Sequence, residues 1–430
     1  MSNENRKKAA LHSLGCKVNA YETEAMQQEL LEAGYEIVPF SERADLYVIN
    51  TCTVTNIADK KSRQMIHRAK KLNPDALVVA AGCYAQIDPK RTEADDAVDL
   101  VIGNDQKHDL IRALAEYEKT GKTEFITDIS RPDRTFEELH LSHPAKHARA
   151  FVKIQDGCDS FCSYCVIPYA RGRSRSRAPE RVIREVEELA DNGFAEIVLT
   201  GIHISSYGTD PGISLLDLIR RIHEIDGVKR IRLGSLEPGI ITEEFVLEIA
   251  GMKKVCPHFH LSLQSGSDTV LARMNRNYTT QEYLEKCDIL REYFEHPALT
   301  TDIIVGFPGE SEEEFSATCD FVKKAAFYEI HVFPYSRRDG TAAARMDGQI
   351  PGQVKSERVR QLLAIAADLK DQFESWYLGR QVEVLFEEPV TKNGERYYTG
   401  YTPEYVKTWL RTEECLQNRI ITVEFSGQIV

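Results

Sequence analysis

The chain has 430 residues, of which 42% are hydrophobic and 28% charged, and its formal net charge is −13. This length suffices for two or three domains with cores of their own, and the composition is that of an ordinary soluble globular protein. The negative charge argues against a protein that coats nucleic acid indiscriminately, so a nucleic-acid substrate would need local basic patches. No apolar run approaches the ~18 residues that span a membrane, and the N-terminus lacks the features of a secretory signal, which predicts a cytoplasmic protein without membrane attachment.

The N-terminal segment, residues 1–120, alternates apolar runs with helical patterns, which predicts a parallel α/β sheet. Three apolar runs end in a cysteine: ALHSLGC at Cys16, LYVINTC at Cys52 and ALVVAAGC at Cys83. Because the carboxyl ends of parallel strands form the ligand crevice of such a sheet, the three thiols should converge there. Three converging thiolates indicate an iron–sulfur cluster with one open iron; the alternative is three separate buried cysteines, since cysteine is often a core residue.

A helix predicted over residues 58–71 carries the strongest basic patch of this segment, with six Lys or Arg against Asp59 alone. A solvated helix face is one interpretation, and contact with RNA phosphates is the other. The candidates for phosphate contact are Lys60, Lys61, Arg63 and Arg68. Residues 121–148 show little periodicity and contain turn-prone residues, which predicts a linker.

The central segment, residues 149–376, contains six strand-like runs separated by amphipathic helices, which predicts a partial (β/α)6 barrel of parallel strands. The loop after the first run, GCDSFCSYC, places Cys158, Cys162 and Cys165 at C-x3-C-x2-C spacing. Such a loop can ligate three irons of a 4Fe–4S cluster and leave the fourth open to a small ligand. Half of a zinc site is the alternative. The loop, with an aromatic residue before its last cysteine, resembles the signature of the radical S-adenosylmethionine (SAM) enzymes.

Small or polar residues follow the later strands, at the end of the predicted barrel where βα loops carry the chemistry. The candidates for holding SAM are Thr200, Gly201, Ser235, Glu237, Gln264 and Gly306. Four arginines follow the cysteine loop within seven residues, a density that suits bidentate phosphate contact, although a solvated loop is the alternative. These candidates for RNA contact are Arg171, Arg173, Arg175 and Arg177. We predict no catalytic residue beyond the cluster ligands.

The C-terminal segment, residues 377–430, contains four strand-rich runs separated by turns, which predicts a small antiparallel β-barrel. Its six Lys or Arg against eight Glu do not by themselves indicate RNA binding. The remaining cysteines lack cluster spacing and are interpreted as structural: Cys256, Cys287, Cys319 and Cys415.

Taken together, the motifs of the chain resemble those of the radical-SAM methylthiotransferase family. They are LGCKVNAYETE (14–24), INTCTVT (49–55), AGCYAQ (81–86), GCDSFCSYCVIPYARG (157–172), LTGIHISSYG and DIIVGFPGE. The resemblance covers nearly the whole chain and implies a methylthiotransferase domain, a radical-SAM partial barrel and a C-terminal TRAM-like barrel. It also implies two 4Fe–4S clusters. Cys158, Cys162 and Cys165 would hold the cluster that binds and cleaves SAM, whereas an auxiliary cluster that carries sulfur would be held by Cys16, Cys52 and Cys83.

Lys17 and Asn19 in the first motif resemble the branch of the family that acts on N6-threonylcarbamoyladenosine next to the tRNA anticodon. The resemblance then implies methylthiolation of adenine carbon 2, two SAM molecules, a tRNA anticodon loop as partner and an electron donor such as flavodoxin or ferredoxin. Within the family, the alternatives are N6-isopentenyladenosine in tRNA and an aspartate of a ribosomal protein. Outside it, a cobalamin-dependent methyltransferase would need a D-x-H-x-x-G motif that the sequence lacks. An iron–sulfur nucleic-acid-binding module is opposed by the overall acidity.

Overall fold

The structure, a computed structural model, describes residues 6–131, 134–142, 148–210 and 212–427. They form two compact units. The first unit contains the described residues of Met1–Ala145 together with Lys153–Ala178 and Ser336–Ala344. The second contains those of Lys146–Val152, Pro179–Tyr335 and Arg345–Val430. Within the described ranges, no helix is both long and apolar enough to cross a lipid bilayer.

Strands and helices alternate along most of the chain. The strands are β1 (Lys8–Ser13), β2 (Glu36–Ile37), β3 (Leu46–Thr51), β4 (Leu77–Gly82), β5 (Leu100–Ile102), β6 (Glu124–Phe125), β7 (Arg149–Lys153), β8 (Gln155–Asp156), β9 (Arg175–Ser176), β10 (Glu196–Thr200), β11 (Arg230–Leu233), β12 (His258–His260), β13 (Ala298–Val305), β14 (Glu329–Pro334), β15 (Gln381–Lys392), β16 (Glu395–Tyr401), β17 (Lys407–Arg411) and β18 (Ile420–Glu424). The helices are α1 (Lys17–Glu32), α2 (Asn56–Leu72), α3 (Cys83–Ile87), α4 (Pro89–Glu93), α5 (Leu110–Thr120), α6 (Ile167–Arg171), α7 (Pro179–Asp191), α8 (Leu215–His223), α9 (Glu243–Ala250), α10 (Asp268–Arg273), α11 (Thr280–Tyr293), α12 (Glu312–Ala325) and α13 (Gly352–Ser375).

A parallel six-stranded sheet with the order β2-β1-β3-β4-β5-β6 forms the core of the first unit. Both of its faces are covered, so strand β3 is buried along its whole length, as expected for a central parallel strand. Leu46 and Val48 pack on one face with residues of α1 and α5, whereas Tyr47 and Ile49 pack on the other face with residues of α2. Strand β6 lies beyond residue 120, so the sheet extends into the predicted linker.

Helix α1 carries a carboxyl group with an unusual pKa. Burial, and to a smaller extent the neighbouring Glu137, raises the pKa of Glu29 to about 8 from an ordinary 4.5. A carboxyl whose folded pKa is raised favours folding at low pH, and that contribution is lost as the pH rises from 4.5 to 8.

Replacing Glu29 by Gln should therefore raise the free energy of unfolding above pH 8, by on the order of 1 kcal/mol because solvent screens a partly exposed group. Near pH 5 the substitution should have little effect. Urea unfolding at both pH values measures the difference, with Glu36→Gln at an exposed position of β2 as control. If Glu29→Gln raised the free energy of unfolding equally at both pH values, the raised pKa of Glu29 would be contradicted.

Six strands of the second unit form two three-stranded sheets, with the orders β11-β10-β7 and β12-β13-β14. Isolated parallel bridges between Ile231 and Val255 and between Leu236 and Leu261 connect the two sheets. Three of the helices that follow these strands begin with capping boxes, at Ser214, Thr279 and Ser311. This alternation of parallel strands and capped helices confirms the predicted α/β class.

The C-terminal residues form an antiparallel four-stranded sheet with the order β17-β16-β15-β18, in agreement with the predicted antiparallel architecture. This sheet shares one hydrophobic core with the end of α13 and with Tyr328 of the second unit. Arg232 of β11 reinforces the contact, because its guanidinium donates to the carbonyl of Pro403 at 2.8 Å while pairing with Glu196 at 2.7 Å. The C-terminal sheet is therefore an integral part of the second unit.

Candidate active site

Three cysteines lie at or just beyond the carboxyl ends of three neighbouring strands of the first unit, as predicted. Cys16 precedes α1, Cys52 follows β3, and Cys83 is the first residue of α3 after β4. Gly15 has a φ of +98°, and a Cβ there would lie only 2.6 Å from the Sγ of Cys52, so the turn before Cys16 requires glycine. Burial, followed by smaller effects of Cys83 and Cys16, raises the pKa of Cys52 to about 12. A thiol in this setting ionises when a metal cation balances its charge.

The loop with Cys158, Cys162 and Cys165 is held by its own backbone. The N–H of Cys165 donates to the carbonyl of Cys162 at 2.9 Å, and the N–H of Cys158 donates to the carbonyl of Gly172 at 3.0 Å. Two further N–H groups point at sulfur: Ser160 at the Sγ of Cys158, 3.5 Å, and Ile167 at the Sγ of Cys165, 3.4 Å. Hydrogen bonds to ligand sulfurs are a feature of iron–sulfur sites, so the donor set fits such a cluster.

Five charged side chains of the first unit form a buried charge network that was not predicted from the sequence. Arg171 donates to Glu22 at 2.8 Å and to Asn19 at 2.7 Å. Lys153 lies 2.7 Å from both Glu22 and Asp156. The members of the network, all at most 1% exposed, are Glu22, Lys107, Lys153, Asp156 and Arg171. Although burial alone would raise it, Arg171, Lys107 and Lys153 together hold the pKa of Glu22 well below its ordinary value.

The buried charge network links the segments that carry the two sets of cysteines. Asn19 and Glu22 lie in the first turns of α1, just after Cys16, and Asp156 lies two residues before Cys158. Asn104 adds a contact, because its amide donates to the Sγ of Cys83 at 3.6 Å and to the carbonyl of Ala170 at 2.7 Å. The sequence contains one indication of this network, because Lys153 interrupts an apolar strand. A charged side chain at such a position needs a buried partner of opposite charge.

Three of the four arginines predicted to bind RNA are buried in ion pairs, which contradicts that prediction for them. Arg171 belongs to the buried charge network; Arg175 pairs with Asp105 at 3.4 Å, and Arg177 pairs with Glu138 at 2.9 Å. These guanidinium groups balance the negative charge of acidic side chains, which would otherwise lack a partner of opposite charge. Arg173 differs, because its side chain is 68% exposed and its guanidinium lies over the ring of Phe161.

The predicted basic patch on α2 lies on the surface. Lys60, Lys61 and Arg68 are exposed, and the guanidinium of Arg63 lies 5.8 Å from the ring centre of Tyr84. Asp59, the acidic residue of α2 itself, pairs with Arg338 at 2.7 Å. Contact of these four residues with RNA stays a prediction.

A short segment of the first unit, residues 336–344, contacts both sets of cysteine loops. Arg338 donates to Asn56 at 2.7 Å and to Thr53, the residue after Cys52, at 2.6 Å. At the other end of the segment, the N–H of Ala343 donates at 2.8 Å to the carbonyl of Ser163, which lies between Cys162 and Cys165. The segment therefore stabilises both loops, although it is distant from each of them in the sequence.

In the second unit, the residues predicted to hold SAM follow neighbouring strands. Thr200 ends β10, and Ser235 lies just after β11. Gln264 lies after β12 and forms an isolated parallel bridge with Ile303 of β13. Gln264 has a φ of +74°, unusual for a residue with a side chain. The remaining candidates are Gly201, Glu237, whose carboxylate pairs with Arg276, and Gly306. Contact of all six residues with SAM stays a prediction.

Glu310, which was not among the residues predicted from the sequence, fixes the loop after β13. Its carboxylate accepts the N–H of Gly306 at 2.6 Å and the guanidinium of Arg358 of α13 at 2.6 Å. Gly306 has a φ of +69°, and a Cβ there would lie 2.2 Å from the Cγ of Lys355, so the loop packs tightly on α13. The motif GFPGE contained this carboxylate, but its partner lies 48 residues away.

Two family models match the chain. The radical SAM superfamily matches residues 152–322, and the family described as uncharacterized protein family UPF0004 matches residues 8–103. Among solved structures, the radical S-adenosylmethionine methyltransferase TsrM from Kitasatospora setae, with cobalamin and a 4Fe-4S cluster bound, aligns with a TM-score of 0.57 at 17% identity. The alignment covers 79% of this chain and 77% of that chain, which shows a shared fold.

Curated relatives match nearly the full length. The chain is 43% identical over 419 residues to the threonylcarbamoyladenosine tRNA methylthiotransferase MtaB of Bacillus subtilis (strain 168), covering 96% of this chain and 93% of that protein. It is 36% identical over 429 residues to the tRNA-2-methylthio-N(6)-dimethylallyladenosine synthase of Moorella thermoacetica, covering 98% and 96%. The chain therefore belongs to the radical-SAM tRNA methylthiotransferases, a family of transferase enzymes.

Proposed function

We propose that the protein adds a methylthio group to carbon 2 of N6-threonylcarbamoyladenosine next to the tRNA anticodon, using two SAM molecules and two 4Fe–4S clusters. The observation that carries this proposal is the presence of two separate sets of three cysteines on the loops of the first unit. The choice of base is supported by the 43% identity to a relative named for threonylcarbamoyladenosine. The alternatives, isopentenyladenosine and a ribosomal-protein aspartate, have less support.

The protein's own residues would bind and orient the reacting groups. Cys158, Cys162 and Cys165 would hold the SAM-binding cluster, and the auxiliary cluster would be held by Cys16, Cys52 and Cys83. When bound, the clusters would supply reductive cleavage of SAM and the sulfur of the product. The N–H groups of Ser160 and Ile167 would donate to ligand sulfurs, and the buried charge network would keep water from the protein side of the loops. The residues proposed to hold SAM are Thr200, Gly201, Ser235, Glu237, Gln264 and Gly306.

The nature of the base can be tested in cells. Mass analysis of tRNA nucleosides from cells lacking the gene should show loss of the 2-methylthio derivative of N6-threonylcarbamoyladenosine, with the unmodified nucleoside accumulating in its place. The intact gene should restore the product, and a Cys52→Ala gene should not. Loss of the isopentenyladenosine derivative instead, or of a methylthiolated ribosomal peptide, would overturn the proposal.

The number of clusters can be counted directly. Anaerobic reconstitution of the wild-type protein should give about eight iron per chain, because each 4Fe–4S cluster contributes four. The variant with Cys158, Cys162 and Cys165 all replaced by Ala should retain about four iron. Wild-type protein that saturates at four iron, or a triple variant that retains all eight, would contradict the two-cluster proposal.

The basic patch on α2 is proposed to contact the tRNA anticodon loop, together with Arg173. Because the chain carries −13 overall, binding must depend on such local contacts. The slope of log affinity against log salt changes by about 0.7 for each phosphate contact to a single strand. Replacing Lys60 and Lys61 by Gln should weaken tRNA binding and flatten this slope by roughly one to two units.

Lys323 and Lys324 provide a matched control, because they form an adjacent pair of exposed lysines on α12. Their replacement by Gln changes the net charge equally and should leave the slope unchanged. Equal effects of the two pairs would indicate a response to net charge alone, and would remove the α2 patch from the proposed RNA contacts.

A further inference from the structure

Three side chains on neighbouring strands of the second unit form a polar cluster that the proposed reaction does not use. His260 ends β12, Asp302 lies within β13, and His331 lies within β14. Their nitrogen and carboxylate oxygen atoms all lie within 4.8 Å of one another. Among the residues that the structure describes, no other group of three His, Cys, Asp or Glu side chains meets this spacing. We name it the His-Asp-His cluster.

Parallel pairing holds the three residues in register. His260 pairs with Thr300, and Asp302 pairs with His331, so three adjacent strands present one side chain each. Because side chains alternate along a strand, Asp302 lies on the same face of β13 as Thr300, the partner of His260, so the three side chains share one face of the sheet. The cluster is thus built on rigid strands rather than on loops, which is how a precise set of ligands is held.

The ring of His260 is oriented by a second contact. Its Nδ1 lies 3.0 Å from the hydroxyl of Thr300, which is 2% exposed, and its Nε2 lies 3.3 Å from a carboxylate oxygen of Asp302. A histidine ligand of a metal characteristically uses one ring nitrogen for the metal and has the other held by a hydrogen bond. Thr300 supplies that hydrogen bond and leaves Nε2 facing Asp302.

The charge at the cluster also favours a cation. In the part of the chain that the structure describes, His260 is the basic group that pairs with Asp302, and no Lys or Arg lies within ion-pair distance of this carboxylate. The side chains of His260 and Asp302 are 13% and 31% exposed, and His331 is exposed, so an ion can enter from solvent. An anion would meet the carboxylate of Asp302, whereas a divalent cation would be balanced by it.

We propose that His260, Asp302 and His331 bind one divalent transition-metal ion. Two imidazole nitrogens and one carboxylate oxygen are ligands that suit first-row ions such as Fe²⁺, Mn²⁺ and Zn²⁺. Three protein ligands leave open coordination positions, which water or an oxygen atom of a substrate can occupy. None of the ligands is a cysteine, so this site is chemically distinct from the two cluster sites.

Mn²⁺ is a suitable probe for this site in the cluster-loaded protein. It has little affinity for thiolates, and its own electron paramagnetic resonance signal measures the free ion. Excess Mg²⁺ in the buffer occupies sites made of oxygen ligands alone. Under these conditions, wild-type protein should bind about one Mn²⁺ per chain, and Asp302→Asn and His331→Ala should each weaken binding at least about tenfold.

The matched control is His67→Ala, because His67 on α2 also pairs with an aspartate, Asp95 at 3.0 Å, but no third ligand among the described residues lies within reach of this pair. This variant should bind Mn²⁺ as the wild type does. His331 is exposed, so its replacement should leave the melting temperature unchanged and keep the test valid. The proposal is overturned if wild-type protein binds no more Mn²⁺ than the His331→Ala variant does. A higher KM for tRNA in that variant, without a difference in Mn²⁺ binding, would show that His331 contacts the substrate directly instead of binding a metal.

Discussion

Replacing Arg171 by methionine should destabilise the first unit by about 3–5 kcal/mol, because removal of one partner from a buried ion pair leaves the others uncompensated. Methionine fills similar volume, so lost packing contributes little. Glu22 and Asp156 would lose their common guanidinium partner, which lies 2.8 and 3.1 Å from them. Urea unfolding of the full chain measures the change, and hydrogen exchange of peptides from α1 and from β8–β9 locates it.

The loss of unfolding free energy in the Arg171→Met variant should also depend on pH. Arg171 holds the pKa of Glu22 and of Asp156 below the ordinary carboxyl range, so its contribution to stability is present above pH 4.5 and is lost as the pH falls. The difference between wild type and Arg171→Met should therefore shrink toward acid pH. A constant difference across this range would show that packing, rather than charge, is responsible.

Arg173→Met is the matched control, two residues away in the same loop. Arg173 is 68% exposed and pairs with Asp159 at 3.1 Å, and an exposed pair of this kind contributes about 0–1 kcal/mol. A third variant, Arg171→Lys, keeps the charge but loses the planar fork, so it should fall between the two. If Arg171→Met were as stable as Arg173→Met, the buried charge network would have no structural role.

Much of the fold could be predicted from periodicity. The runs that became β1, β3 and β4 are apolar and are separated by helical patterns, so the parallel sheet and the position of each cysteine at a strand end followed from local sequence. Strand β6 could not be predicted, since it has only two residues, Glu124 and Phe125, and exists by pairing with Val101 and Ile102 at the sheet edge. A strand formed by its neighbour has no periodic signal of its own.

The arginines show where local sequence misleads. Arg171, Arg173, Arg175 and Arg177 are so dense that they indicate a basic surface, yet most of them balance acids from distant parts of the chain. Arg171 and Glu22 are 149 residues apart. The need of buried carboxylates for partners is a tertiary property, so no window of sequence contains both halves. The His-Asp-His cluster escaped prediction for the same reason, because only strand register brings its members together.

The cysteine variants should have the largest effect on activity, because each set of ligands is proposed to support a different step. The triple variant with Cys158, Cys162 and Cys165 replaced by Ala should form no 5′-deoxyadenosine from SAM and dithionite. The triple variant with Cys16, Cys52 and Cys83 replaced by Ala should still form it, yet make no methylthiolated tRNA. Chromatography of the nucleoside products measures both outcomes in one anaerobic reaction.

This division of roles depends on the two sets acting separately although both lie in the first unit. Cys287→Ala is the control, since Cys287 is a buried cysteine of α11 in the second unit and its thiol is not a proposed ligand. It should retain both activities. If the variant with Cys16, Cys52 and Cys83 replaced still formed methylthiolated tRNA, these cysteines would not be responsible for sulfur delivery. Loss of 5′-deoxyadenosine in the same variant, with about four iron retained, would mean that SAM cleavage requires the auxiliary loops as well as the cysteines of the SAM-binding loop.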